Sequence, residues 1–325
     1  MWPARFFCAA PFGAGIIAVH RHGGRVGRSG GDVRIGFIGL GLMGVPMCQR
    51  LLQAGVALTV WNRSPGKADG LCRQGAVLVQ SVAELVVSCD VVMLCVSDTD
   101  AVQQLLFAAD GIARHARGGQ LLVDFSSIAP AATRDMAARL LAQTGMRWVD
   151  APVSGGVRGA ESGQLVIMAG GEVADIDALR PLLAQLGQRV TRMGPVGAGQ
   201  VTKVCNQLIV ASNAMLIAET VRLATAAGVD AGQLAPALAG GFADSLPFQI
   251  LAPRMAAHCF EPVQWRVATL LKDLGNALAL GQESGSTLPI ATLAQQLMQQ
   301  HAGQAGNAQR DLASVIELYD GAGAC

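Results

Sequence analysis

The sequence predicts an α/β domain built on a doubly wound parallel sheet, followed by an all-helical C-terminal domain. Three observations carry this reading. Short apolar runs alternate with helical patterns from Val33 to about Met193. Those runs are continuously apolar, as strands covered on both faces must be. After Gly197-Ala198-Gly199 the strand signal stops and helical periodicity takes over.

In chain order, residues 33–39 form an apolar run ending in glycine, which reads as a buried strand. Gly39-Leu40-Gly41-Leu42-Met43-Gly44 follows, then a helical pattern from Val45 to Gln53 that Gly55 stops. Val56 to Trp61 supplies a second strand, and Asp90–Val96 and Gln120–Asp124 two more, each preceded by a helical segment. Residues 200–226 form one long helical pattern, apolar nearly all round, as a central buried helix would be. Further helical stretches are split by Gly240-Gly241, Pro247, Pro253, Pro262 and Gly285. The domain boundary is therefore expected near 195, separating 33–195 from 196–325.

Residues 1–32 stand apart. They hold Arg5, Arg21, Arg25 and Arg28, with no acid before Asp32, and Pro11, Gly13 and Gly15 interrupt their apolar stretch. A targeting leader, a non-native extension and a start assigned upstream of Val33 all fit, and the segment is set aside as an extension without fold.

Composition narrows the function. The formal net charge is +1 with no basic block, which leaves no electrostatic footprint for nucleic acid. The 8 cysteines form no C-x-x-C pair and have no histidine cluster beside them, so no metal site is expected. Most lie in apolar segments, where a thiol behaves as a small hydrophobe, and this fits a reducing, cytoplasmic setting. The uncharged stretch Val204–Ala218 is shorter than the ~20 apolar residues that span a bilayer, so no membrane role is expected.

G-x-G-x-x-G is a weak signal in a chain with 40 glycines. Here it follows a strand and opens a helix in a β-α-β unit, the context of a dinucleotide site in a Rossmann-type sheet. Gly39 would allow the tight turn, Gly41 would admit a pyrophosphate to the backbone, and Gly44 would let helix and strand pack closely. The loop backbone of Leu40, Leu42 and Met43 would line the same site, at the positive end of the helix. The second strand ends in Asn62-Arg63-Ser64, where an NAD-preferring site would carry an acid for the ribose 2′-hydroxyl. A guanidinium there can grip a 2′-phosphate and a serine can add a hydrogen bond, so NADP is expected over NAD.

At this point the residues resemble a known family. GFIGLGLMGVPM (36–47), DFSSIAP (124–130), DAPVSGGVRGAESGQLVIMAGG (150–171), GAGQVTKVCNQ (197–207) and LLKDLGNAL (270–278) look like the ordered signatures of the β-hydroxyacid dehydrogenases, with a fainter match at 310–319. That group includes 3-hydroxyisobutyrate dehydrogenases and tartronate, glyoxylate and succinic semialdehyde reductases. The resemblance implies an active site between the two domains and a homodimer or homotetramer whose helical domains pack together. It implies Lys203 as the catalytic acid that protonates the carbonyl oxygen as hydride reaches carbon. Asn206 and Gln207, three and four residues on, can share its helix face. Ser154-Gly155-Gly156 matches the substrate loop, with Ser127 as a further hydroxyl where relatives often have threonine. Lys272 matches a lysine near cofactor and substrate, beside an Asp273 read as structural. Val96 and Ser97 are expected to close over the cofactor. The Asn-Gln pair resembles the tartronate semialdehyde reductases, while Trp265 stands where several relatives carry phenylalanine in the substrate pocket.

The expected activity is NADP(H)-dependent interconversion of a small carboxylate-bearing aldehyde and its hydroxy acid, first of all 2-hydroxy-3-oxopropionate (tartronate semialdehyde) reduction. 3-Hydroxyisobutyrate dehydrogenase is the alternative enzyme. Imine reductases share the architecture but lack the lysine. A non-catalytic NADP-binding sensor would be expected to lose Lys203 or the SGG loop, and both are intact.

Overall fold

The computed structural model describes residues 27–28 and 31–320. The expectation for residues 1–32 lies mostly outside them; within it, Gly27–Arg28 pairs antiparallel with Gly31–Asp32.

The main sheet has nine strands: β1 (Ile35–Ile38), β2 (Leu58–Trp61), β3 (Val77–Leu78), β4 (Val91–Leu94), β5 (Leu121–Asp124), β6 (Arg147–Asp150), β7 (Val153–Ser154), β8 (Leu165–Gly170) and β9 (Gly187–Gly194). Their spatial order is β3-β2-β1-β4-β5-β6-β8-β9, with β7 added on β8. The first six positions run 3-2-1-4-5-6, the doubly wound dinucleotide-binding order, with its switch point between β1 and β4. The pairs from β3 across to β6 are all parallel. The sheet is mixed beyond that: β8 runs antiparallel to β6, and β9 runs parallel to β8. The reversal follows the turn at Gly155 and Gly156, whose φ angles of 126° and 62° lie in the left-handed region that glycine tolerates.

Alternate residues of the buried strands feed two separate cores. Ile35 and Phe37, Val91 and Met93, and Leu121 and Val123 join one cluster with Met47 and Leu51 of helix α1 (Gly44–Gln53). Ile38, Val92, Leu94 and Leu122 join another with Leu85 of α2 (Val82–Ser88), Leu106 of α3 (Thr99–Phe107) and Leu140 of α4 (Pro130–Thr144). This is why those runs are continuously apolar: each face has its own helical layer. Helices α5 (Gly156–Ser162) and α6 (Val173–Leu183) follow in the last β-α segments.

The long helix α7 runs Ala198–Ala226. The compact units divide inside it, at Lys203/Val204. The start of α7 is bonded into the sheet unit through Gln200, which is why the division falls where it does. From Val204 onward, Ala211, Ala214, Met215, Ala218 and Val221 pack in a helical core with α8 (Leu246–Ala256), α9 (Val267–Ser284) and α10 (Pro289–Ala302). Pro253 sits within α8 instead of ending it.

α7 is not buried all round. Ile209, Leu216 and Leu223 are 58, 60 and 71% exposed, one residue every seven along the helix. By length and composition alone the whole of α7 is long and apolar enough to cross a bilayer, although its longest uncharged stretch is only Val204–Ala218. Its buried side packs within the helical core, as the core helix of a globular unit also would.

Candidate active site

The phosphate-binding loop is built as its glycines require. Gly39 has φ 100°, and a Cβ there would overlap the carbonyl of Cys95, just past β4. A Cβ on Gly44 would overlap the Gly39 carbonyl and meet the Phe37 ring at 3.3 Å, so helix and strand are held together by its absence. Gly41 faces open space, with nothing within 4 Å of a Cβ position. The first turn of α1 has no side-chain cap and no acidic residue, so its amides and dipole end are compatible with an anion. A nicotinamide dinucleotide's pyrophosphate fits this cradle. Leu40 is buried and Leu42 exposed, so both would serve through the backbone, as would Met43.

At the end of β2 the three predicted residues separate into different roles. Asn62 Oδ1 accepts the Leu40 N–H at 2.9 Å, and its Nδ2 donates to the Ser64 carbonyl at 2.9 Å. The amide therefore ties the loop to the β2 terminus, with both functional groups engaged. Arg63 and Ser64 are exposed, and Ser64 makes no capping bond to the 3₁₀ turn Pro65–Ala68. Arg63 is the cation at this strand end.

After β4, the Val96 N–H donates to Ser126 Oγ at 3.0 Å. Ser97 Oγ donates to Asp98 Oδ2 at 2.6 Å, and the other Asp98 oxygen caps α3 through the Ala101 N–H. β5 and β6 each end in a buried aspartate, Asp124 and Asp150, which are register partners. Asp124 Oδ1 accepts the Ser126 N–H at 2.9 Å, while Oδ2 has no hydrogen-bond partner. Burial pushes Asp124 up to about 7 against the Ser126 hydrogen bonds, and the charge of Asp150 adds to the rise. Asp150 is raised to about 6, again by burial, against the amides of Gly197 and Gln200 that stabilise its charge. Ser127 is half-buried in the same loop; Ser154 lies half-buried on β7 at the turn where Gly155 and Gly156 present backbone rather than side chain. Such a turn suits an anion such as a substrate carboxylate.

Lys203 is 9% exposed on the second turn of α7. Three residues earlier, Gln200 donates to the Ser126 carbonyl at 2.7 Å and accepts the Ile128 N–H at 3.2 Å. The loop after β4, the loop after β5 and the start of α7 are thus one bonded unit, reached through Ser126. In the helical unit, Asn206 Nδ2 donates to Gln207 Oε1 at 2.8 Å, and Gln207 Nε2 donates to Asp273 Oδ2 at 2.6 Å. Lys272 Nζ lies 3.2 Å from Asp273 Oδ1. Asp273, 3% exposed, is thus a buried anchor for Gln207 and Lys272. Trp265 is half-buried against the helical core, and its backbone N–H donates to Asp311 Oδ2 at 3.3 Å.

Sequence reasoning assigned no role to Asp124, Ser126, Asp150 or Gln200. A signal was present: the runs QLLVD and RWVD are buried strands that each end in an acid. Among the described residues no group of three or more His, Cys, Asp or Glu side chains could hold a metal ion.

Comparison with known proteins places this geometry. Residues 34–194 match the NAD binding domain of 6-phosphogluconate dehydrogenase, and residues 197–319 match the NAD-binding domain of NADP-dependent 3-hydroxyisobutyrate dehydrogenase. The chain is 37% identical over 288 residues to 2-hydroxy-3-oxopropionate reductase of Escherichia coli, covering 89% of this chain and 97% of that protein. It is 34% identical over 293 residues to an NAD-dependent L-serine dehydrogenase of Pseudomonas aeruginosa, covering 88 and 98%. A crystal structure of 3-hydroxyisobutyrate dehydrogenase from Salmonella typhimurium superimposes with a TM-score of 0.79 at 28% identity, covering 88% of this chain and all 100% of that one. With the dinucleotide cradle intact and both halves matched, the chain belongs to the 3-hydroxyisobutyrate dehydrogenase-like family of β-hydroxyacid dehydrogenases and is an NAD(P)-dependent dehydrogenase acting on hydroxy acids.

Proposed function

We propose that this enzyme is an NADP(H)-preferring reductase of small carboxylate-bearing aldehydes, with 2-hydroxy-3-oxopropionate (tartronate semialdehyde) as its substrate. The observation that carries the chemistry is Lys203, a buried lysine held on the first turns of α7 by a hydrogen-bonded network. A buried ammonium in that position can give a proton to the carbonyl oxygen as negative charge develops on it. The bound nicotinamide would supply the hydride. Ser154 and the backbone of Gly155 and Gly156 would hold the substrate carboxylate, with Ser127 nearby in the chain of strand-end loops. Asn206, Gln207, Lys272 and Trp265 complete the proposed set of substrate- and cofactor-facing residues.

The NADP preference rests on exposed Arg63 at the end of β2, in the absence of an acid there. The choice of tartronate semialdehyde rests on the Asn206-Gln207 pair and on the similarity to the E. coli reductase. The seven-residue spacing of Ile209, Leu216 and Leu223 supports a homo-oligomer, since exposed apolar side chains in line on one helix are costly to leave in water. We place the enzyme in the cytoplasm; its six described cysteines are all unpaired thiols, as a reducing compartment keeps them.

The test is a cofactor-oxidation panel. Tartronate, methylmalonate and succinic semialdehydes and glyoxylate are each presented with NADPH and with NADH. Highest kcat/KM with tartronate semialdehyde and NADPH is expected. A preference for methylmalonate semialdehyde with NADH would instead make the enzyme a 3-hydroxyisobutyrate dehydrogenase.

A further inference from the structure

We propose that Asp150 is a positioning residue for Lys203, its buried carboxylate clamping the first turn of α7 to the end of β6. The proposal rests on the reading of Lys203 as the proton donor. Asp150 Oδ1 accepts the Gly197 N–H at 2.7 Å and Oδ2 accepts the Gln200 N–H at 2.8 Å. A helix start leaves its amides without intrahelical partners, and an acid normally caps them from the adjoining residue. Here the cap comes from a strand 47 and 50 residues earlier in the chain, so it fixes where the helix begins in space as well as satisfying its amides.

The fold leaves this carboxylate a close-fitting place. The Asp150 backbone is in register with Asp124 on one neighbour and with Gly170 on the other. A Cβ on Gly170 would come within 2.5 Å of Oδ1, and one on Gly199 within 2.8 Å of Oδ2. Two glycines thus leave room for this one side chain. Gln200 completes the clamp through its bonds to Ser126 and Ile128, and Ser126 also carries the Val96 N–H. Lys203 lies one turn beyond Gln200, where a small shift of the helix start would displace Nζ. Its distance from a reacting oxygen therefore depends on the clamp.

The experiment uses the full-length enzyme with Asp150→Asn and Gln200→Met, each alone and each combined with Lys203→Ala. Asparagine keeps one acceptor but turns an NH2 toward an N–H, and methionine keeps the volume of Gln200 without its hydrogen bonds. Each single variant should lose kcat by about 10- to 100-fold, as a misplaced catalytic group does. NADPH affinity should be unchanged, and the loss should vanish in the Lys203→Ala background. A folded Asp150→Asn enzyme with normal kcat overturns the proposal. So does a loss that is undiminished when Lys203 is already absent, or one matched by an equal loss of NADPH affinity. If Asp150→Asn does not fold, Asp150→Ser, which keeps one acceptor oxygen on a smaller side chain, decides by the same criteria, while Gln200→Met reads only the side-chain part of the clamp. Lys203→Ala alone separates the two ideas: a crippled Lys203→Ala beside a normal Asp150→Asn removes only the clamp, while a normal Lys203→Ala removes the assigned lysine itself.

Discussion

Replacing Asn62 with alanine tests whether this side chain staples the phosphate-binding loop or contacts the cofactor directly. The structure engages both ends of the amide, Oδ1 with the Leu40 N–H and Nδ2 with the Ser64 carbonyl. Two neutral hydrogen bonds contribute about 0.5–1.5 kcal/mol each, and the Leu40 amide, on a buried residue, would lose its partner. The expected cost is about 1–3 kcal/mol of stability without any ligand. At roughly 2–4 °C per kcal/mol for a unit of this size, the melting temperature should fall by about 2–12 °C. Because the loop serves the pyrophosphate, NADPH and NADH should weaken together. Differential scanning fluorimetry on the ligand-free protein and nucleotide fluorescence titrations read the two effects separately. An unchanged melting temperature with a selective loss of NADPH would refute the staple and return Asn62 to the 2′-phosphate.

Arg63→Ala should give the opposite pattern, weakening NADPH by about 1.5–3 kcal/mol, the value of a charge-assisted contact, while sparing NADH; equal affinity of the unmodified enzyme for the two cofactors would sink it. Lys203→Ala should lower kcat by about 10²–10⁴-fold with NADPH binding intact, and Lys203→Arg should not rescue it because a guanidinium does not readily release a proton. Retention of more than about a tenth of the normal rate would contradict the role given to this lysine. Asp124→Asn addresses pH. Asp124 sits near 7 in the fold against an ordinary 3.8, so its folded pKa is raised and the folded state holds its proton longer. The stability this confers is complete below about 4 and is lost as pH rises through about 7. The variant should therefore gain melting temperature relative to the parent at pH 8 and lose that advantage at pH 5; parallel curves would show that Asp124 does not titrate in this range. Asp150 is raised in the same sense, so a residual slope should remain.

The sequence by itself determined whatever depends on neighbours along the chain. Continuous apolar runs located β1, β4 and β5, because a strand covered on both faces has no polar side to show. The loop at 39–44 and the turn at 154–156 were legible for a related reason: their backbones need glycine at fixed spacings, whatever surrounds them. What the tertiary structure decided is which side chains answer one another over distance. Asn62 looked like part of a 2′-phosphate turn, yet its amide closes on Leu40, 22 residues away. Asp273 could be read only as structural beside Lys272, and the partner it anchors is Gln207, 66 residues away. Asp150 and Gln200 carried no motif of their own as a pair, because a carboxylate and two amides meet only once the sheet has brought β6 to the start of α7. Nor could hydropathy say which side of α7 is covered. An apolar stripe is the same sequence whether it faces a core or, as at Ile209, Leu216 and Leu223, lies exposed, and only the packing of α8, α9 and α10 on the other side settles that.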